Sequence, residues 1–379
     1  MKKICFITTV PGTIKSFVLP TAAGMHEYGE FDISFICNED DEFAKSLPDY
    51  IHYFPVKMKR GINLYGIKAT YEMYKIFKRE KFDLVQYSTP NASLYASLAS
   101  KLAKIPVRLY CQWGIVYVSF SGIKRKIFKT LEKTVCRLST WIEPDSFGNL
   151  KFSRSEGLYD ESKSSVIWNG TSAGIDLERF DISDKKEWGH QIRKKHGIPE
   201  EAFVYGFVGR LTKDKGIYEL LEAFEKISST KENTYLLMIG RSETDDSALD
   251  EAAKNRRIIF TGNVGDPEKY YASMDAFILP SYREGMANSI IEAEAMGVPV
   301  IVTDIPGTVD AMGVNITGLT VKKADVESLK DAMNTIYEND ELRERFASVS
   351  RNFVKEKFEK KELISHIIKD RKRLLGIEK

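Results

Sequence analysis

Residues 279–303, LPSYREGMANSIIEAEAMGVPVIVT, read as a single βαβ crossover. An apolar strand at 276–279 runs into a Pro-Ser turn and a glycine-containing loop. A helix follows from about residue 288 to 296, and Gly297-Val298-Pro299 leads into a second apolar strand at 300–303. Asn288 is the expected N-cap, because its side-chain oxygen accepts from the unpaired N–H groups of a first turn, and Gly297 is the expected C′ stop. Such a helix mouth carries roughly half a positive charge and unpaired N–H groups, which makes it an anion site. Glu284 in the preceding loop and Glu292 inside the helix flank it. Helical side chains lean toward the N-terminus, so Glu292 points back toward the loop of Glu284. Two acids are poor phosphate ligands and good acceptors for sugar hydroxyls, as an acid is for ribose in dinucleotide folds. A ligand with phosphate in the middle and hydroxylated rings on both sides fits this pattern, and a nucleotide-diphosphate sugar is the commonest such molecule. The plainer reading is that acids near a helix start only complement its dipole.

Glu284-x7-Glu292 followed by Gly297-Val298-Pro299-Val300-Ile301 resembles the donor-binding signature of retaining glycosyltransferases of the GT-B fold, family 4, and Arg283-Glu284-Gly285-Met286 looks most like the bacterial capsule and O-antigen members. The resemblance implies an α/β fold with two Rossmann-like, doubly wound parallel-sheet domains facing a cleft. It implies a nucleotide-sugar donor, most commonly UDP-linked, retention of anomeric configuration, and no cofactor or metal for the chemistry. The acceptor would be a growing bacterial glycan, carried on a polyprenyl diphosphate at the inner membrane face. In that frame Glu284 holds the transferred sugar with the backbone N–H groups of Met286, Ala287 and Asn288 alongside. Ser289 lies near the phosphates, and Glu292 takes the ribose hydroxyls. Glu294 stands where the family has a nonpolar residue.

The second half of the chain repeats the theme. FVYGFVG at 203–209 is an apolar strand, followed by Arg210-Leu211-Thr212-Lys213-Asp214-Lys215-Gly216 and a helix at 217–227. Arg210 and Lys215 bring two cations to a helix N-terminus, where the dipole disfavours them; an anion between them reverses that penalty, so the pair reads as a diphosphate cradle. The string from Gly209 to Gly216 also resembles the family motif whose Arg and Lys bind the leaving diphosphate. Further strands are expected at 235–239, 258–261 and 318–321. The turns after the first two hold Arg241, Asn263 and Val264, which in the family surround the nucleobase. Asp245-Asp246 and the acidic run 39–42 have no patterned partner, so no metal site is expected.

The first half alternates strands (3–8, 32–37, 51–54, 84–87, 107–111, 140–143, 166–168) with helices (clearest at 64–79, 93–104, 123–137), the pattern of a doubly wound sheet. The turn after the first strand, Val10-Pro11-Gly12-Thr13, is not G-x-G-x-x-G; in GT-B enzymes this loop reaches acceptor and donor phosphates, which implicates Gly12 and Thr13. Trp113 stands where many family members have a histidine, so no catalytic histidine is assigned, and Gln112 is a candidate hydroxyl partner. VIWNGTSAGIDLERF at 166–180 resembles the segment that ends the first domain, and the charged run 181–195 reads as a polar linker helix. The domains are therefore expected at 1–170 and 171–359, with three helices at the end (326–337, 342–358, 361–375) and the last, about 360–379, packing back on the first domain.

With 379 residues and 43% hydrophobic content the chain is long enough for two cores. The formal net charge is +2, yet residues 51–140 hold 17 Lys and Arg against 4 Asp and Glu. This one-sided basic stretch, with Tyr71, Tyr74 and Phe77 at helical spacing, fits either a solvated helix face or an anionic membrane surface; no nucleic-acid partner is expected. Cys5, Cys37, Cys111 and Cys136 are scattered in apolar surroundings, as reduced thiols of a cytosolic protein are. The apolar run after Met1-Lys2-Lys3 is cut by Pro11-Gly12, and no run reaches the length of a spanning helix, so a cytoplasmic, soluble or peripheral protein is expected. Two other readings fit the same residues: a nucleotide-sugar epimerase of this fold, and a catalytically silent nucleotide-sugar-binding scaffold.

Overall fold

The computed structural model describes residues 1–59, 61, 65–242 and 246–377. Two compact units emerge, one of Met1–Ala173 with Lys361–Lys379, the other of Gly174–Lys360. Each is built on a six-stranded, wholly parallel sheet whose strands are near-continuous apolar runs, as burial on both faces requires.

In the first unit the strands are β1 (Lys2–Ile7), β2 (Phe31–Ile36), β3 (Ile51–Tyr53), β4 (Leu84–Tyr87), β5 (Val107–Gln112) and β6 (Trp141–Pro144), in the order β3-β2-β1-β4-β5-β6. In the second they are β7 (Phe203–Val208), β8 (Thr234–Ile239), β9 (Ile258–Gly262), β10 (Ala276–Leu279), β11 (Val300–Thr303) and β12 (Gly318–Val321), in the order β12-β11-β10-β7-β8-β9. Both are the 3-2-1-4-5-6 arrangement of a doubly wound sheet. Strand order reverses between β1 and β4 in one and between β7 and β10 in the other, and in such sheets ligands bind outside the carboxyl ends of the strands at that reversal.

Two expectations need correction. Residues 166–168 form no strand: Trp168 takes φ +50° and Thr171 φ +66° around the Asn169-Gly170 turn, while Ile167 packs with Leu363 and Ile367 of the last helix, Lys360–Leu374. Apolar character here reflects burial against a helix and not sheet pairing. The charged run 181–195 is no linker. Its helix, Lys185–His196, is docked on the second unit, with Arg193 donating to Asp275 at 2.9 Å and Lys185 Nζ to the carbonyl of Gly297 at 2.9 Å. Burial pushes the Lys185 amine down to about 8. The helix after β1 is not uniform: a π-helical segment, Ile14–Val18, separates Pro11–Thr13 from Leu19–Glu27. Pro20 has no N–H to give to the carbonyl four residues back, and the ladder adjusts by widening before it.

The terminal helix is locked to the first sheet by a buried charge cluster. Arg371, 1% exposed, makes a two-pronged ion pair with Glu143 at 2.6 and 3.1 Å, pairs with Asp370 at 2.7 Å and donates to Gln86 at 3.1 Å. Gly24 permits the approach, since a Cβ there would lie 2.6 Å from Ile364. No helix among the described residues is long and apolar enough to cross a membrane.

Candidate active site

The strand reversal between β7 and β10 brings two loops of the second unit together. After β7 the chain turns through Arg210 and the 3-10 turn Lys213–Lys215, then enters the helix Ile217–Ser228 at Gly216. After β10 it runs from Pro280 through Glu284 to the helix Asn288–Ala295. Lys215 Nζ donates to Glu284 Oε1 at 2.6 Å, with the two side chains only 18% and 10% exposed. Beside this pair Arg283 donates to Asp214 at 3.0 Å, the Tyr282 N–H donates to the carbonyl of Asp214 at 2.8 Å, and the Tyr282 hydroxyl meets Glu219. Gly216 sits at φ +71°, and a Cβ on it would fall 2.0 Å from the Pro280 carbonyl oxygen. The loops are therefore in backbone contact, and only glycine satisfies both the left-handed conformation and the gap.

Asp214 is held below its ordinary range by the hydroxyl of Thr212 and by nearby Arg283, Arg210 and Lys215, against the opposing effect of its burial. Arg210 itself is exposed at the carboxyl end of β7. A third loop, after β11, presses on the second: Gly307, at φ +85°, would place a Cβ 1.7 Å from the Gly285 oxygen. The Ala287 N–H donates to the Gly307 carbonyl at 3.1 Å. This corrects the role expected of Ala287, whose N–H braces the loop instead of facing a ligand. Asn288 is likewise not the cap. It is the first helical residue, and Ala287 in the cap position has no polar side chain to cover the helix mouth.

Glu292 lies on the same edge. The Tyr271 hydroxyl donates to its Oε2 at 2.8 Å, and burial pushes the carboxyl up to about 7, a rise that this hydrogen bond and Arg179 partly offset. Tyr271 is invisible to local sequence reasoning, being 21 residues upstream on another helix. Gly307 did leave a signal, the Pro306-Gly307 dipeptide after an apolar strand. Glu294, without explanation in the sequence, is fully buried on the core side of the helix, where its Oε1 meets the Thr317 hydroxyl and burial pushes its carboxyl far up. It is a buried acid in the core, tying the helix to the turn before β12.

Of the remaining expected residues, Gly209 and Arg241 lie together: the Leu211 N–H donates to the Arg241 carbonyl at 3.0 Å, and Gly240 (φ +130°) leaves room for the Gly209 carbonyl, which a Cβ would approach to 1.9 Å. Asn263 is exposed after β9 and Val264 packs against the core. Ser289 is half-buried in the first helical turn, and Met286 is buried. Gly12 and Thr13 lie in the other unit, in the turn after β1, beside its own strand reversal where Thr9 and Thr89 share a hydrogen bond at 2.8 Å. Gln112 is corrected: it is fully buried, donates to Glu132 at 2.6 Å and accepts from Ser153 and Tyr159 at 3.0 and 2.8 Å, so its carbonyl oxygen is saturated and its amide is turned into the core instead of toward a ligand. Trp113 packs against Phe17 with ring centroids 5.5 Å apart. Of the expected acidic pair, Asp245 lies outside the described residues, and Asp246 caps the helix Ser247–Ala252.

Residues 190–353 match the family described as glycosyl transferases group 1, and residues 3–143 match glycosyl transferase 4-like. The chain is 31% identical over 366 residues to the capsular polysaccharide biosynthesis glycosyltransferase CapM of Staphylococcus aureus, covering 94% of this chain and 93% of CapM. It is 27% identical over 316 residues to the UDP-Gal:alpha-D-GlcNAc-diphosphoundecaprenol alpha-1,3-galactosyltransferase of Escherichia coli, covering 80% and 79% of the two. Among solved structures, Anabaena HepE in complex with UDP-glucose superposes with a TM-score of 0.79 at 18% identity over 98% of this chain and 99% of that one, a likeness of fold.

Proposed function

Because this chain belongs to the group 1 glycosyl transferases, with the GT-B fold and a role in polysaccharide biosynthesis, we propose that it moves a sugar from a UDP-linked donor to a polyprenyl-diphosphate-linked glycan with retention of configuration. The observation that carries the reading is the Lys215–Glu284 pair at the reversal between β7 and β10, beside a helix mouth whose cap position is an alanine. The Gly174–Lys360 unit binds the donor in this proposal and the other unit binds the acceptor. Lys215 and Arg210 neutralise the diphosphate as the bond from the sugar C1 to its oxygen breaks. The acceptor hydroxyl oxygen bonds to C1 and its proton passes to the departing diphosphate. Glu284 orients the transferred sugar, and Glu292, steadied by Tyr271, takes the ribose hydroxyls.

Fixed cations and dipoles supply the charge stabilisation in this scheme, so catalysis proceeds without a metal. The donor class follows the UDP named for the Escherichia coli relative, and the lipid carrier follows the diphosphoundecaprenol in the same name. An anionic membrane surface, met by the basic helices of the first unit, would present such an acceptor. The test is incubation with a panel of UDP-, GDP- and dTDP-sugars, with and without polyprenyl-diphosphate-linked glycan and with and without EDTA. UDP-sugar consumption that requires acceptor, survives EDTA and yields a product of unchanged anomeric configuration is expected. Release of free sugar or an epimer without acceptor would reassign the site to epimerisation, and binding without turnover to a scaffold.

A further inference from the structure

A cavity lies entirely within the first unit, lined by residues of that unit alone. Three helices, Tyr65–Glu80, Pro90–Ala103 and Gly122–Leu138, enclose a groove of about 620 Å³, inside the range of roughly 300–1,000 Å³ that holds small-molecule ligands. Its walls are apolar, with Ile67, Tyr71, Leu98, Leu102, Phe128 and Val135 among them. The surface around it is apolar too. Of the fifteen large apolar side chains exposed among the described residues, seven stand on these three helices, with Ile67 71% and Leu102 65% exposed. An open apolar patch of this kind marks a binding surface.

The charge around the groove narrows the occupant. The three helices carry eleven Lys and Arg against three acids. Lys68, Lys75, Lys101, Lys124 and Lys126 are all exposed. One acid, Glu132, lines the groove itself, where it accepts from Tyr110 and Gln112, and burial pushes its carboxyl up toward the neutral form. A second copy of the chain would bring lysines against lysines, whereas an amphiphile with an apolar tail and an anionic head satisfies both parts.

We infer that this groove seats the first isoprene units of a polyprenyl diphosphate, with the diphosphate among the exposed lysines of the helices that form it. The inference rests on the reading above that the acceptor is polyprenyl-linked. It adds a subsite that reads the lipid carrier independently of the glycan.

The test uses the full chain, with UDP at saturation so that the donor site is filled, and titrates farnesyl diphosphate, inorganic diphosphate and phosphatidylglycerol vesicles by calorimetry. Farnesyl diphosphate is expected to bind at least about tenfold more tightly than inorganic diphosphate, because burying only a few methylene-sized groups suffices for that margin. The neutral variant Ile67→Gln/Leu98→Gln/Leu102→Gln, which keeps the basic surface intact, should lose the margin while still binding UDP. Equal binding of the two diphosphates, an unchanged margin in the triple variant, or binding to vesicles without binding to farnesyl diphosphate would each overturn the inference. Failure of the chain to bind UDP would count against the donor reading alone, since the farnesyl margin is measured separately.

Discussion

Lys215 and Glu284 neutralise each other at 2.6 Å while both are largely shielded from water, so removing either leaves a charge in a poorly solvated place. Lys215→Ala should lower kcat/KM by about 10²-fold or more, the scale of a lost electrostatic stabiliser, as should Arg210→Ala. Glu284→Gln should impair transfer while sparing UDP affinity, which calorimetry with UDP and steady-state kinetics separate; near-normal turnover in these variants would sink the cradle. Glu292 adds a pH signature. Its carboxyl rises from the ordinary 4.5 to about 7 on folding, so between those values the folded chain binds more protons than the unfolded one. By linkage, stability must fall as pH rises through that window. Thermal unfolding measured across it should show the decline in the wild type and a weaker one in Glu292→Gln. If the ionised carboxyl accepts ribose hydroxyls, UDP should also bind more tightly as pH rises through 7, with less gain in Glu292→Gln than in the wild type. Parallel curves for the two proteins would remove Glu292 from the ribose.

Among the elements, the loops matter more than the helices they precede. The segment after β7 and the segment after β10 touch through Gly216 and Pro280, and the loop after β11 touches the second through Gly307 and Gly285. A methyl group at Gly216 or Gly307 meets a carbonyl oxygen, a neighbour that cannot rotate aside, and both positions need a positive φ. Gly216→Ala and Gly307→Ala should therefore shift Lys215 or Glu284. A displacement on the order of 1 Å at reacting groups costs about 10²-fold in rate. Kinetics on both variants, alongside circular dichroism to verify the fold, decide this; wild-type kcat/KM in either would show that the loop tolerates the shift.

Across the whole molecule, the terminal helix and the basic helices carry separate consequences. Arg371 lies buried between Glu143 and Asp370, and breaking such a cluster from one side costs about 3–5 kcal/mol, because the remaining charges lose their counter-ion. Arg371→Met should lower the unfolding midpoint accordingly, and pairing it with Glu143→Gln should recover part of the loss. The basic stretch has a mixed fate. Lys129 and Arg125 are drawn to Glu156 at 2.8 and 3.6 Å, Phe77 is buried, and Tyr71 is 58% exposed; Arg60 and Leu64 lie outside the described residues. The lysines left facing water should bind vesicles of anionic lipid at low salt, each contributing about 1 kcal/mol, and release them as salt screens the field. Changing Lys68, Lys75, Lys124 and Lys126 to Ser together should weaken that binding; indifference of the wild type to anionic vesicles would leave the basic face to an anionic acceptor.

Apolar runs were enough for the strands of the two sheets, except at 166–168, where the same signal marks burial against a helix. Apolar runs at 84–87, 276–279, 300–303 and 318–321 are strands with those bounds, because a parallel strand buried on both faces writes its whole length in apolar residues. The cations and acids of the site were legible for a related reason: they follow strands directly, and a βα loop opens at the carboxyl edge wherever it occurs. What the chain alone could not say was who faces whom. The Lys215–Glu284 pair spans 69 positions and the Tyr271–Glu292 bond 21, and strand order, which local pattern does not encode, sets such neighbours. The same limit hid the burial of Gln112, the loop-bracing N–H of Ala287 and the buried Glu294. Each is a polar group whose partner comes from a different element, so its role was decided only when the sheet closed around it.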